Sequence, residues 1–97
     1  MNAATTNPWV LALPAEKVEE WIEKNGERAM DEHMTTDPYF ALWLHYVDRA
    51  TRRRAWVSYR DLEDWDYWSA YDAGMSPVDA AIDMLDANGY GDFEDGE

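Results

Sequence analysis

Cysteine is absent from these 97 residues, so neither disulfides nor thiolate metal sites are available and stability must come from an apolar core. No apolar stretch approaches the ~20 residues that span a bilayer, and the N-terminus has neither the basic start nor the apolar run of a targeting signal. These absences predict no membrane contact and a cytoplasmic location. The most informative absence is of cations. From Asp61 to Glu97 there are twelve Asp and Glu and no Lys or Arg. The first sixty residues carry the other nine acids and all eight basic residues, a balance of −1, so nearly all of the formal charge of −13 lies in one stretch.

Aromatic residues are abundant. Six Trp and six Tyr, each able to remove ~150–250 Å² from water when buried, supply enough apolar surface for one small core. The length fits a single domain over 1–97, with residues 1–7 and 91–97 expected to be mobile ends. The expected fold class is mainly α: a small helical bundle of four or five helices, with a minor two-stranded β element pairing Trp9–Leu13 with Ala55–Tyr59.

Periodicity places the helices. Pro14, then Val18, Trp21 and Ile22 at spacings of three and four, opens a helix that Gly26 should stop, followed by a short helix over 27–34. Asp37-Pro38 opens the most apolar helix, with Phe40, Trp43, Leu44 and Val47 in one stripe, running into Arg49, Arg52, Arg53 and Arg54 where the helix dipole favours cations. Ser58 followed by Asp61 resembles a capping box that starts a helix reaching Gly74. Ser76-Pro77 with Asp79 begins the last helix, whose buried stripe is expected at Val78, Ala81, Ile82 and Leu85, with Gly89 as its end.

The candidate interaction residues are acids and rings. Asp79, Asp83 and Asp86 recur at i, i+4 and i+7 along one helix face, a spacing of the same order as phosphates along a nucleic-acid strand. Asp61, Glu63, Asp64, Asp66 and Asp72 add charge just before them, and Asp92, Glu94 and Asp95 extend it. Trp65 and Trp68 are expected in the core, and Tyr67 and Tyr71 at a partner, flanked by carboxylates. A solvated acidic face that serves only solubility is the plain alternative, although adaptation to high salt would spread acids along the whole chain. The arginines from Arg49 to Arg60 are expected to cap their helix and pair with acids, internally or in a homodimer. Direct nucleic-acid binding is not expected beside so much negative charge.

Residues 86–97 are similar to a calcium-binding EF-hand loop, with Asp86, Asn88, Asp92 and Glu97 as the oxygen-bearing positions. Tyr90 replaces an expected oxygen ligand, and no exit helix or partner loop follows. His33 and His45 stand twelve apart without a catalytic or metal-binding constellation, so neither an enzyme nor a cofactor is expected.

In size, charge and aromatic content the chain resembles the small acidic DNA-mimic inhibitors of phages and mobile elements, the anti-CRISPR and anti-restriction proteins. That resemblance implies a cytoplasmic inhibitor whose carboxylates replace phosphates in the basic DNA- or RNA-binding channel of a host defence enzyme, such as a CRISPR effector or a restriction enzyme. An antitoxin or immunity protein for a basic toxin is the alternative with the same electrostatics, and a single EF-hand-like calcium module is a third.

Overall fold

A computed structural model describes residues 7–62 and 65–89. Among them are five α-helices and one 3₁₀ turn: α1 Pro8–Leu11, α2 Ala15–Glu32, α3 Pro38–Ala55, the turn Tyr59–Asp61, α4 Tyr67–Asp72 and α5 Pro77–Ala87. This is the mainly α domain that the periodicity predicts.

α3 is the central element because its first half is apolar almost all round. Leu42, Trp43, Leu44 and Val47 are all buried, and α2 and α5 both pack on it. Asp37 accepts from the N–H groups of Tyr39 and Phe40 and so fixes where it starts. Trp43 is fully buried, donates from Nε1 to the Met75 carbonyl at 2.9 Å, and meets Phe40 and Tyr71 at ring separations of 5.9 and 5.5 Å. The α4–α5 junction is thereby tied to the middle of the core.

The two-stranded element is not formed. Pro8–Leu11 is a helical turn, since proline is tolerated at its first position and the Asn7 side chain accepts from the N–H groups of Trp9 and Val10. At the other end, Ala55 still belongs to α3, Trp56 turns left-handed at φ 65°, and Tyr59 enters the 3₁₀ turn. Asn7 itself, expected in a mobile end, is 1% exposed.

Gly26 does not stop α2. It is buried within the helix, where a Cβ would come within 3.0 Å of Ile22 Cγ2, and the ~1 kcal/mol cost of glycine mid-helix is offset by packing along Val18, Ile22 and Ala29. The expected short second helix is thus the last part of α2. Conversely, the single helix expected from Tyr59 to Gly74 is broken. Ser58 caps only the 3₁₀ turn, and Asp66 caps a new start at α4. Gly74 at φ 93° reverses the chain where a Cβ would meet Pro8 at 3.2 Å. On α5 the buried residues are Ala80, Ala81, Met84 and Leu85, while Val78, expected inside, is 46% exposed. The stripe is rotated because Met84 fills the core and accepts a contact from the Tyr67 hydroxyl at its sulfur.

Candidate interaction surface

Of the acids singled out from the sequence, Asp61, Asp66, Asp72, Asp79, Asp83 and Asp86 lie within the described residues, and all six are exposed. Glu63, Asp64, Asp92, Glu94 and Asp95 lie outside them, as do Glu97 and most of the calcium-loop motif. Asn88, one of that motif's positions, directs its amide nitrogen to the Met84 carbonyl at the end of α5. Among the described residues no group of three acids or histidines is placed to hold a metal ion.

The six acids divide by what the fold does with them. Asp66 accepts from both the backbone N–H and the hydroxyl of Ser69, at 3.0 and 2.7 Å, and these bonds hold its carboxyl below the usual range. Asp61 sits in the 3₁₀ turn and contributes to the field that strengthens the proton affinity of the Arg52 guanidinium. Asp72, Asp79, Asp83 and Asp86 make no ion pair with a described residue. The last three form one row on α5, with about 6 Å of rise between Asp79 and Asp83 and about 4.5 Å between Asp83 and Asp86.

Position along the helix sharpens the point. Asp79 lies in the first turn of α5, where the dipole favours an anion, but Asp86 lies in the last turn with no basic residue there. Asp72 likewise ends α4 with no basic residue in its last turn. Each carboxylate faces a helix C-terminus at a cost of about 0.3–1 kcal/mol at low salt.

The aromatic expectation holds for Trp65, which packs against the core, but is reversed for Tyr71 and Trp68. Tyr71 is 4% exposed and packs edge-on to Phe40 and Trp43, so it belongs to the core and is no partner contact. Tyr67 is half-buried, with its hydroxyl donating to the Tyr59 carbonyl at 3.2 Å and its ring against Trp65 and Tyr59. Trp68, expected inside, is 52% exposed while resting on Phe40. A six-residue α4 capped by Asp66 turns Ala70 and Tyr71 inward and leaves the Trp68 ring at the surface, packed on Phe40 and Tyr71. The sequence reading also missed Trp56 and Met34, which are 88% and 91% exposed at left-handed positions where glycine is the usual residue.

The arginines are largely internal partners. Arg52 donates to Asp48 at 2.8 Å, Arg60 approaches Glu32 at 3.4 Å, and Arg49 lies 5.6 Å from the centre of the Tyr46 ring. Asp48 is the junction. Burial pushes its carboxyl up, but Ser58 at 2.6 Å, Arg52 and the Tyr59 N–H outweigh that and hold it below the usual range. A second acidic row went unnoticed on α2, where Glu16, Glu20, Glu23, Glu27 and Asp31 follow helical spacing and are all exposed. The near-neutral sum over the first sixty residues conceals it, because half of the balancing cations sit on α3.

His33 is a buried titratable group beside a cleft of about 350 Å³ lined by Tyr59, Arg60, Phe40 and Leu44. Its Nδ1 is hydrogen-bonded to the Tyr59 hydroxyl, and burial lowers its proton affinity while raising that of the phenol. His45 is shifted down for the same reason. A folded pKa below the unfolded ~6.5 means that the unfolded chain binds the proton more readily. The stabilisation is therefore complete above about pH 6.5 and is lost as pH falls through the lowered folded values. Urea midpoints should drop between about pH 7 and about pH 5, before the carboxylates titrate, and His33→Gln should flatten that slope. A midpoint constant across this window would show that His33 is protonated in the folded chain.

No helix among the described residues is long and apolar enough to cross a membrane. Comparison with protein-family models, curated proteins and solved structures found no match.

Proposed function

We propose that the protein is an acidic inhibitor that occupies the positively charged nucleic-acid channel of another protein, a host defence enzyme of the CRISPR or restriction type, with the α5 row Asp79, Asp83 and Asp86 standing in for consecutive phosphates. It acts by occupation, not by catalysis, inside the cytoplasm. The observation that carries this reading is an exposed row of carboxylates with no ion-pair partner among the described residues, at whose far end the fold gains nothing from the charge. Asp86 opposes the dipole of its own helix, so its contribution is sought outside the molecule. The resemblance in size and charge to DNA-mimic inhibitors supports the same class.

The test is capture from a bacterial lysate at low salt on immobilised protein, followed by displacement with duplex DNA. A retained nucleic-acid enzyme that DNA displaces supports mimicry; one that holds DNA and this protein together overturns it, and a retained toxin without nucleic-acid affinity would assign the antitoxin role instead. The variant Asp79→Asn/Asp83→Asn/Asp86→Asn should bind roughly 10-fold or more weakly, with a shallower dependence on salt. Its fold should be about as stable as the parent's, since the adverse dipole interaction relieved at Asp86 offsets the favourable one lost at Asp79. Unchanged affinity in that variant would exclude the α5 row.

A further inference from the structure

A second surface has the opposite character. Along the C-terminal half of α3, Tyr46, Arg49 and Arg53 recur at three and four residues and so share one edge of the helix, with Trp56 following as its left-handed C-cap. Between this edge, α1 and the start of α5 runs a groove of about 180 Å³ with Trp9, Tyr46 and Val78 among its apolar walls and Arg49 and Arg53 at its rim. Among the described residues no carboxylate lines it, although the chain carries −13. Trp9 and Tyr46 meet edge to face at 5.3 Å, which makes the floor rigid. Val78 remains 46% exposed on one wall, and Trp56 is 88% exposed at the end of the edge.

The same molecule displays the complement. Trp68 on α4 is 52% exposed, and Asp72, one turn further along that helix, is exposed and unpaired among the described residues. An aromatic side chain beside a carboxylate fits an aromatic groove rimmed by guanidinium groups, through ring packing and charge-assisted hydrogen bonds. From this pairing we infer that the protein self-associates head to tail, with Trp68 and Asp72 of one copy docked in the groove of a second copy at Arg49 and Arg53. The net charge of each copy opposes the encounter at long range, but a Debye length of about 8 Å at physiological salt confines that repulsion and leaves the local contact to decide. The groove takes in Pro77 and Val78 at the start of α5, whereas Asp83 and Asp86 lie farther along that helix, and the inference does not depend on the inhibitor reading.

Sedimentation equilibrium of the full chain across a concentration series at physiological salt tests this without any target protein. The expected result is a mass that rises with concentration from one copy and does not stop at two, because a head-to-tail contact leaves one groove and one Trp68 free at the ends. Arg49→Glu/Arg53→Glu and, separately, Asp72→Arg should each weaken association roughly 10-fold or more. An equimolar mixture of the two should regain it, because the intact Asp72 of the glutamate variant meets the intact Arg49 and Arg53 of the other, and the new arginine can meet the new glutamates. Asp72→Arg places a cation at a helix C-terminus, where it is tolerated. Arg49→Gln/Arg53→Gln, which adds no adverse charge to α3, should also weaken association and guards against loss of fold in the glutamate variant. A single-copy mass at every concentration, association indifferent to these substitutions, or a mixture that stays apart would each overturn the inference.

Discussion

Trp43→Ala is expected to leave little folded protein at ordinary temperatures. The ring is fully buried in the middle of α3, against Phe40 and Tyr71, and its indole nitrogen holds the Met75 carbonyl. Removing it costs about 3–5 kcal/mol through lost burial and the cavity left behind. A domain of this size has about 5–15 kcal/mol in all, and this one must also carry its own charge repulsion. Trp43→Phe should recover most of the packing and lose mainly the hydrogen bond, about 0.5–1.5 kcal/mol, plus a smaller cavity. Urea denaturation followed by far-ultraviolet circular dichroism separates the cases. A loss below about 1 kcal/mol for the alanine variant would mean that the surrounding aromatic side chains collapse into the space.

The second large effect is expected at Asn7. Its amide nitrogen donates to the Tyr71 and Met75 carbonyls at 2.8 and 3.1 Å, while its oxygen accepts from the N–H groups of Trp9 and Val10. One buried side chain therefore caps α1 and ties it to the α4–α5 junction. Asn7→Ala removes the cap and one donor from each of two carbonyls, which keep the Gly74 N–H and Trp43 Nε1 respectively, for a loss of about 1–3 kcal/mol. Asn7→Asp keeps the acceptor for α1 but sets a carboxylate against two carbonyl oxygens, so it should be at least as damaging. Thermal melts of the two variants check the order: an aspartate variant as stable as the parent would show that the amide donor bonds contribute nothing.

What was legible in the sequence was local. Asp37-Pro38 and Ser76-Pro77 announced α3 and α5 because a cap and a proline at the first helical position act within one turn. The acids of α5 were legible as an exposed row because their spacing is a property of the helix alone. What was hidden depends on distant partners. Nothing near Asn7 announces that Tyr71 and Met75 will accept its amide, and Pro8–Leu11 is too short to show a period. Gly26 carries the usual mark of a helix end, yet the packing of α2 on α3 overrides it. Tyr71 and Trp68 exchanged roles because the break before Asp66 resets the angular phase of α4, and a 100° count begun at Tyr59 no longer applies. The acidic row on α2 was hidden by a sum in which arginines on another helix cancelled it.

The central position of α3 also explains how so anionic a chain stays compact. α2 and α5 each lean on α3 and meet one another marginally at most, so their axes stand farther apart than the ~8–10 Å of helices in direct contact. Their outward carboxylates are more distant still, beyond the ~8 Å over which charges sense each other in physiological salt. Electrically the domain is two thin sheets of negative charge held apart by a spacer that is neutral in its first half and cationic at its end, and only in dilute buffer would each sheet begin to push on the other.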